Sequence, residues 1–278
     1  MQTHTNNNAY YVPPPSIWPL VGSIALLTLA TGFALLLNKT AIGPYVMALG
    51  AGILLIMLFG WFGAVINESI SGKYAGQEDA SFRWGMAWFI FSEVMFFAGF
   101  FGALFYARNI AVPMLEDAQS LWPGFVAAWP TAGPGLKTVI TPVHAWGIPA
   151  LNTLILLTSG VTLTWAHWGL QKDKQSQLKL GLALTIALGI LFIGLQWYEY
   201  VVLDFTLRDG IFGATFFMLT GFHGFHVILG TVMLIVILFR SLASHFTPGR
   251  HFAFEAVAWY WHFVDVVWLL LFIFVYCL

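Results

Sequence analysis

Cysteine is almost absent from this sequence. One stands in 278 residues, Cys277, and a lone thiol excludes an internal disulfide and any metal site built on paired cysteines. Charge is nearly as scarce. Lys, Arg, Asp and Glu make up 8% of the chain, where a soluble domain carries about 25%. The 11 basic and 12 acidic residues leave a formal net charge of −1, so there is no basic field to attract nucleic acid. The first sixteen residues, MQTHTNNNAYYVPPPS, contain no Lys or Arg. Without a basic n-region this segment is not expected to be a cleaved signal peptide, and the first apolar run is expected to stay as a helix. No internal repeat or low-complexity run is visible, and the signature of inverted-repeat transporters is missing.

What is present is apolar surface. Hydrophobic residues make up 59% of the chain and its mean hydropathy is +0.82, the composition of a polytopic membrane protein. Seven runs are long enough to cross the ~30 Å hydrocarbon core as helices: Ile17–Leu37, Gly43–Ile66, Trp84–Ala107, His144–Trp168, Leu178–Leu203, Gly210–Phe239 and Phe252–Cys277. They are too long and too uniformly apolar for barrel strands. An all-α integral membrane fold of seven helices is expected. Its segments are a tail over 1–16, two helices over 17–66, a polar connection over 67–83, and five helices over 84–277 that include a Pro- and Trp-rich loop over 108–143. With the N-terminus inside, Lys73, Arg83, Lys172, Lys174, Lys179, Arg240 and Arg250 lie on the inner side, and Lys39, Arg108, Lys137 and Arg208 on the outer. This asymmetry places the N-terminus inside and the C-terminus outside.

Polar groups at membrane depth cost roughly 2.5–3.5 kcal/mol each when charged, so each needs a reason. Glu93 lies deep in the third span, Glu199 in the fifth and Asp265 in the seventh, whereas Glu68 and Glu255 stand nearer span ends. His223 and His226 are three apart on one face of the sixth span, and His262 and Asp265 repeat that spacing on the seventh. Gln196 and Glu199 do so on the fifth. A haem held between helices would need a second histidine pair on a partner span. His144 and His167 lie near opposite ends of one span and His262 is alone on its own, so His223 and His226 are expected to be structural, with Glu93 as a partner for one of them. No metal site is expected. Arg240 ends the sixth span near the aromatic pair Trp61 and Phe62, followed by Glu68. Anchoring at the interface and binding of an anionic phosphate suit this arrangement equally.

Four stretches carry a resemblance: SEVMFFAGFF (Ser92–Phe101), PALNTLILLTSGVTLTWAHW (Pro149–Trp168), TFFMLTGFHGFHVILG (Thr215–Gly230) and FAFEAVAWYWHFVDVVWL (Phe252–Leu269). In this order they resemble subunit III of the haem–copper cytochrome c oxidases of the bacterial aa3 type. The resemblance implies that helices one and two lean away from the other five, two plus five, leaving a V-shaped cleft that holds phospholipid. It implies lipid contacts at Trp61, Phe62, Glu68, Phe89 and Arg240, and it matches Glu93 to the family's buried glutamate and His223 and His226 to its histidine pair. With Glu199, His262 and Asp265, taken from span position and spacing, these make the expected buried polar set. It also implies that this chain is not itself catalytic and carries no cofactor, haem and copper residing in subunits I and II. Subunit III packs on subunit I, supports proton uptake on the inner side and protects the enzyme during turnover, while cytochrome c docks elsewhere on the complex. A bacterial inner membrane follows, with the N-terminus cytoplasmic and the C-terminus periplasmic. One departure stands out. The family often ends helix two with Trp-Trp-Arg-Asp, where this chain has Trp61, Phe62, Gly63 and Ala64. Three alternatives remain at this point: the related subunit of a quinol oxidase or nitric oxide reductase, a proton-coupled transporter using Glu93, Glu199 and Asp265, and a di-haem membrane cytochrome.

Overall fold

The structure, a computed structural model, describes residues 10–74, 76–136 and 140–278. Most of the expected tail, residue 75 of the expected connection, and the Lys137 counted in the charge asymmetry lie outside the described residues. Among those described, seven helices are long and apolar enough to cross a membrane, and no strand forms beyond an isolated bridge between Thr247 and Arg250. The helices are α1 (Trp18–Leu37), α2 (Gly43–Ile70), α3 (Gly76–Tyr106), a short α4 (Val112–Asp117), α5 (Ile148–Gln171), α6 (Gln175–Val202), α7 (Gly210–Leu242) and α8 (Phe252–Leu271). A π-helical turn, Ala107–Ala111, joins α3 to α4, and another, Phe272–Cys277, extends α8.

Local signals set the helix ends. A proline occupies the first turn of α1, α2 and α5, where its missing N–H costs nothing. Four helices stop in the same way. At Lys39, Gly72, Asp173 and Ser244 the backbone turns left-handed, and paired N–H donations fold back onto the preceding turn, as from Lys39 to Leu36 and Thr40 to Leu35. This is the Schellman closure, which usually takes glycine; here only Gly72 provides one. Several expected boundaries move. α2 runs on to Ile70 and α3 begins at Gly76, so the expected connection over 67–83 is mostly helix. Glu78 and Asp79 fall in the first turn of α3, where the helix dipole favours acidic groups. The expected outer loop over 108–143 is helical as far as Asp117, and His144 precedes α5 rather than lying within it.

The chain divides into two compact units, Met1–Phe82 and Arg83–Leu278. In the first, α1 and α2 approach closely because they meet at glycines. A Cβ on Gly50 would stand 2.6 Å from the Leu29 backbone nitrogen, and one on Gly32 would collide with the Met47 backbone. The segment before α1 is tied to this unit. The Tyr11 backbone N–H donates to the Glu78 carboxylate, and its hydroxyl donates to Glu68 at 3.3 Å.

In the second unit, α5 to α8 surround a core in which Trp261, Trp268, Tyr260, Phe192, Phe216 and Phe254 are fully buried. Polar bonds cross between the helices. The Trp261 indole N–H donates to Ser159 Oγ at 2.8 Å and that of Trp268 to Thr153 Oγ1 at 2.9 Å. The Thr162 and Thr185 hydroxyls meet at 2.8 Å. Gly189 and Gly230 make room for the Trp261 ring, since a Cβ on either would lie within 2.9 Å of it.

Candidate functional site

α7 carries the histidine pair, and the structure sends its two members to different partners. His223 is fully buried, and its Nε2–H donates to the Val264 carbonyl of α8 at 3.2 Å. Its ring lies 5.1 Å from Trp268 and 5.7 Å from Phe192. His226 points at α3. Its Nδ1–H donates to the Phe222 carbonyl at 2.6 Å, and its Nε2 lies 2.9 Å from Glu93 Oε2. Because the carbonyl requires the Nδ1 proton, one further proton shared between Nε2 and the carboxyl satisfies both. No haem-like pairing of the two rings arises.

Two of the residues expected to be buried are not fully so. The Glu93 side chain is 21% exposed, since one face of α3 is open, and that of His262 is 44% exposed. His262 Nδ1 stands 3.6 Å from Asp265 Oδ2, beyond hydrogen-bond reach, while its Nε2 lies 3.5 Å from Thr164 Oγ1. Asp265 is buried because Gly160 of α5 leaves it space; a Cβ there would stand 2.6 Å from Oδ2. Glu199 and Gln196 are buried on α6, beside the Tyr276 hydroxyl.

The expected lipid residues fall in both units. In the first, Trp61 and Phe62 project outward, 41% and 63% exposed, and Glu68 accepts from the Tyr74 hydroxyl at 2.7 Å. Partial burial and this bond to Glu68 both push the Tyr74 phenol up, so it stays a neutral donor at physiological pH. In the second unit, Phe89 stacks on Tyr260 at 6.3 Å. The Schellman closure of α7 bonds His245 N–H to the Arg240 carbonyl and brings Phe246 beneath the guanidinium, 4.6 Å from the ring centroid. Arg240 is half-buried, its Nε has no hydrogen-bond acceptor, and no carboxylate lies within ion-pair distance among the described residues.

One constellation was missed in the sequence. The last turn of α5 and the first turn of α8 bring together His167, His251 and Glu255, whose donor atoms lie within 4.8 Å of one another. Arg83 of α3 pairs with the other oxygen of Glu255. His251 and Glu255 are four apart at a helix start, which is the signal for a shared face. His251 lies outside the apolar runs, however, and His167 is distant in the chain.

The family profile described as cytochrome c oxidase subunit III matches residues 8–278. The chain belongs to that family. Cytochrome c oxidase subunit 3 of the carp Cyprinus carpio is 42% identical over 270 residues, 97% of each chain. That of the liverwort Marchantia polymorpha is 42% identical over 273 residues, covering 98% of this chain and 97% of its own. That of Drosophila melanogaster is 43% identical over 277 residues, covering 99% and 98%. Subunit III is an accessory subunit of the oxidase complex, non-catalytic in itself and without a redox centre of its own. With seven membrane-crossing helices, it is a multi-pass membrane protein. The transporter and di-haem readings give way to this membership.

Proposed function

We propose that this chain stabilises subunit I of a proton-pumping oxidase, lies in one complex with subunit II, and holds structural phospholipid that keeps proton uptake fast on the inner side. Haem and copper sit in those partner subunits, and cytochrome c docks on the complex rather than on this chain. The membrane is a bacterial cell membrane, with the N-terminus cytoplasmic and the C-terminus periplasmic. That setting rests on the motif resemblance and the Lys/Arg asymmetry; the relatives compared come from animals and a liverwort. Lipid is contacted by Trp61, Phe62 and Glu68 in the first unit and by Phe89 and Arg240 in the second.

The observation that carries the lipid reading is Arg240. A half-buried guanidinium without an acidic partner among the described residues, held over Phe246, is a ready donor for a phosphate oxygen. Arg240→Ala in the intact oxidase is expected to lower the phospholipid retained through purification and to shorten the enzyme's life during turnover. Mass spectrometry of bound lipid and oxygen consumption over time read the two effects. Unchanged lipid with unchanged lifetime sinks the proposal.

A further inference from the structure

We propose that His167, His251 and Glu255 form a binding site for a divalent cation of the zinc class, and that Arg83 sets its affinity. The site is independent of the lipid reading and stands on different residues.

The donor set comes first. Two imidazole nitrogens and one carboxylate oxygen, with a fourth position open to water, is a ligand set that suits Zn2+. Metal–ligand bonds of about 2.0–2.1 Å at tetrahedral angles hold neighbouring donors about 3.3 Å apart. Glu255 Oε1 lies 3.2 Å from His251 Nε2 and 3.6 Å from His167 Nε2. Those spacings bracket the edge of such a tetrahedron.

The orientation of His251 is the second observation. Its Nδ1–H donates to the Thr247 carbonyl at 3.2 Å, which fixes the tautomer and leaves Nε2 with a free lone pair, as in histidines that ligate metals. Nε2 is buried and makes no hydrogen bond, although Glu255 Oε1 is so near. Two potential metal donors 3.2 Å apart with no hydrogen bond between them are well placed to share a cation. His167 Nε2 has a weaker attachment, 3.3 Å from the Gln171 side-chain nitrogen, which a metal can displace.

Arg83 opposes the cation. It engages Glu255 Oε2 and stands over the Phe252 ring at 5.6 Å, so one oxygen of the carboxylate faces a guanidinium and the other faces the imidazoles. Its charge sits on the far oxygen of the same carboxylate, and so repels a dication held by Oε1 measurably even at an effective dielectric of about 20. Occupied, the site would tie the end of α5 to the start of α8 by coordination.

The test uses the whole oxidase in detergent, treated with a chelator mild enough to spare its haem and copper, then equilibrated with buffered Zn2+. The wild type is expected to bind one zinc more than His251→Ala or His167→Gln, whatever other zinc the complex holds. Arg83→Ala is expected to tighten that one equivalent at least about tenfold, and Arg83→Lys to leave it unchanged. Equal zinc in the wild type and both histidine variants overturns the proposal. If those variants fail to assemble, anomalous scattering at the zinc edge on wild-type crystals decides: a peak among the three donors supports the site and its absence overturns it. Unaltered affinity in Arg83→Ala overturns the role given to Arg83.

Discussion

The first two spanning helices and the last four solve the same problem differently. Of the most apolar stretches of α1 and α2, 17% and 6% of residues are buried, against 39% in each of α5, α6 and α7 and 50% in the helix formed by α8 and its π-helical turn. The hairpin is held by backbone approach at a few glycines. The bundle is held by aromatic side chains and by hydroxyls and indoles bonded across helices. In a bilayer, burial of apolar groups gives little drive to associate, because lipid is as apolar as leucine. What holds helices together is close packing and polar contact, and the bundle has far more of both. The hairpin instead leaves most of its apolar surface unburied.

The largest expected effect separates the two regions by one side chain each. Trp261→Ala removes a fully buried ring and its bond to Ser159, and is expected to cost about 3–5 kcal/mol. Phe59, 79% exposed on α2, is expected to change stability by less than about 0.5 kcal/mol when cut to alanine. Thermal unfolding of the purified oxidase, followed at this subunit, compares them. Equal losses would mean that the hairpin is as tightly determined as the bundle.

Next comes the hairpin's own means of closure. A leucine side chain at Gly50 would run into the Leu29 backbone, so Gly50→Leu is expected to push α1 from α2 and to cost about 1–3 kcal/mol. Gly52→Leu is the control, since nothing lies within 4 Å of its Cβ position. Spin labels on the two helices should report a longer distance only in the first variant. Below this in size is the pair that joins α3 to α7. Glu93→Gln keeps a hydrogen-bonding side chain beside His226 and is expected to leave turnover and pumping largely intact. Glu93→Leu strips His226 Nε2 of its partner and is expected to destabilise by about 1–3 kcal/mol. Loss of pumping in Glu93→Gln, with assembly and lipid normal, would make this carboxyl a proton carrier instead.

Hydropathy made the seven spans legible because a run of about 20 apolar residues has few other uses. It failed where a helix continued into polar sequence. α3 starts at Gly76 through Gln77, Glu78 and Asp79, and its helical path runs on through the π-helical turn at Arg108 and Asn109, and neither stretch differs from a loop by hydropathy. Three helix stops use Lys39, Asp173 and Ser244 in the left-handed region, where no glycine marked the end. The three-apart spacing gave His223 and His226 a shared face, yet one bonds to α8 and the other to α3, a choice made by neighbouring helices. The His167, His251 and Glu255 group could not be read along the chain because its geometry exists only once α5 and α8 pack.

The smallest expected effect tests whether polar bonds in the bundle act singly or together. The Thr185 hydroxyl meets Thr162 Oγ1 at 2.8 Å and donates to its own helix at the Gly181 carbonyl, also at 2.8 Å. Thr162 likewise has the Ser159 carbonyl at 2.9 Å. Each hydroxyl therefore keeps a partner when the other is removed, and no orphan is left in the core. Thr185→Val should then cost only about 0.6 kcal/mol, the mean for interhelical hydrogen bonds in a membrane. A double-mutant cycle with Thr162→Val isolates the pair. A coupling well above 1 kcal/mol would show that α5 and α6 depend on that bond itself, and would move polar contact ahead of close packing as the source of the bundle's advantage over the hairpin.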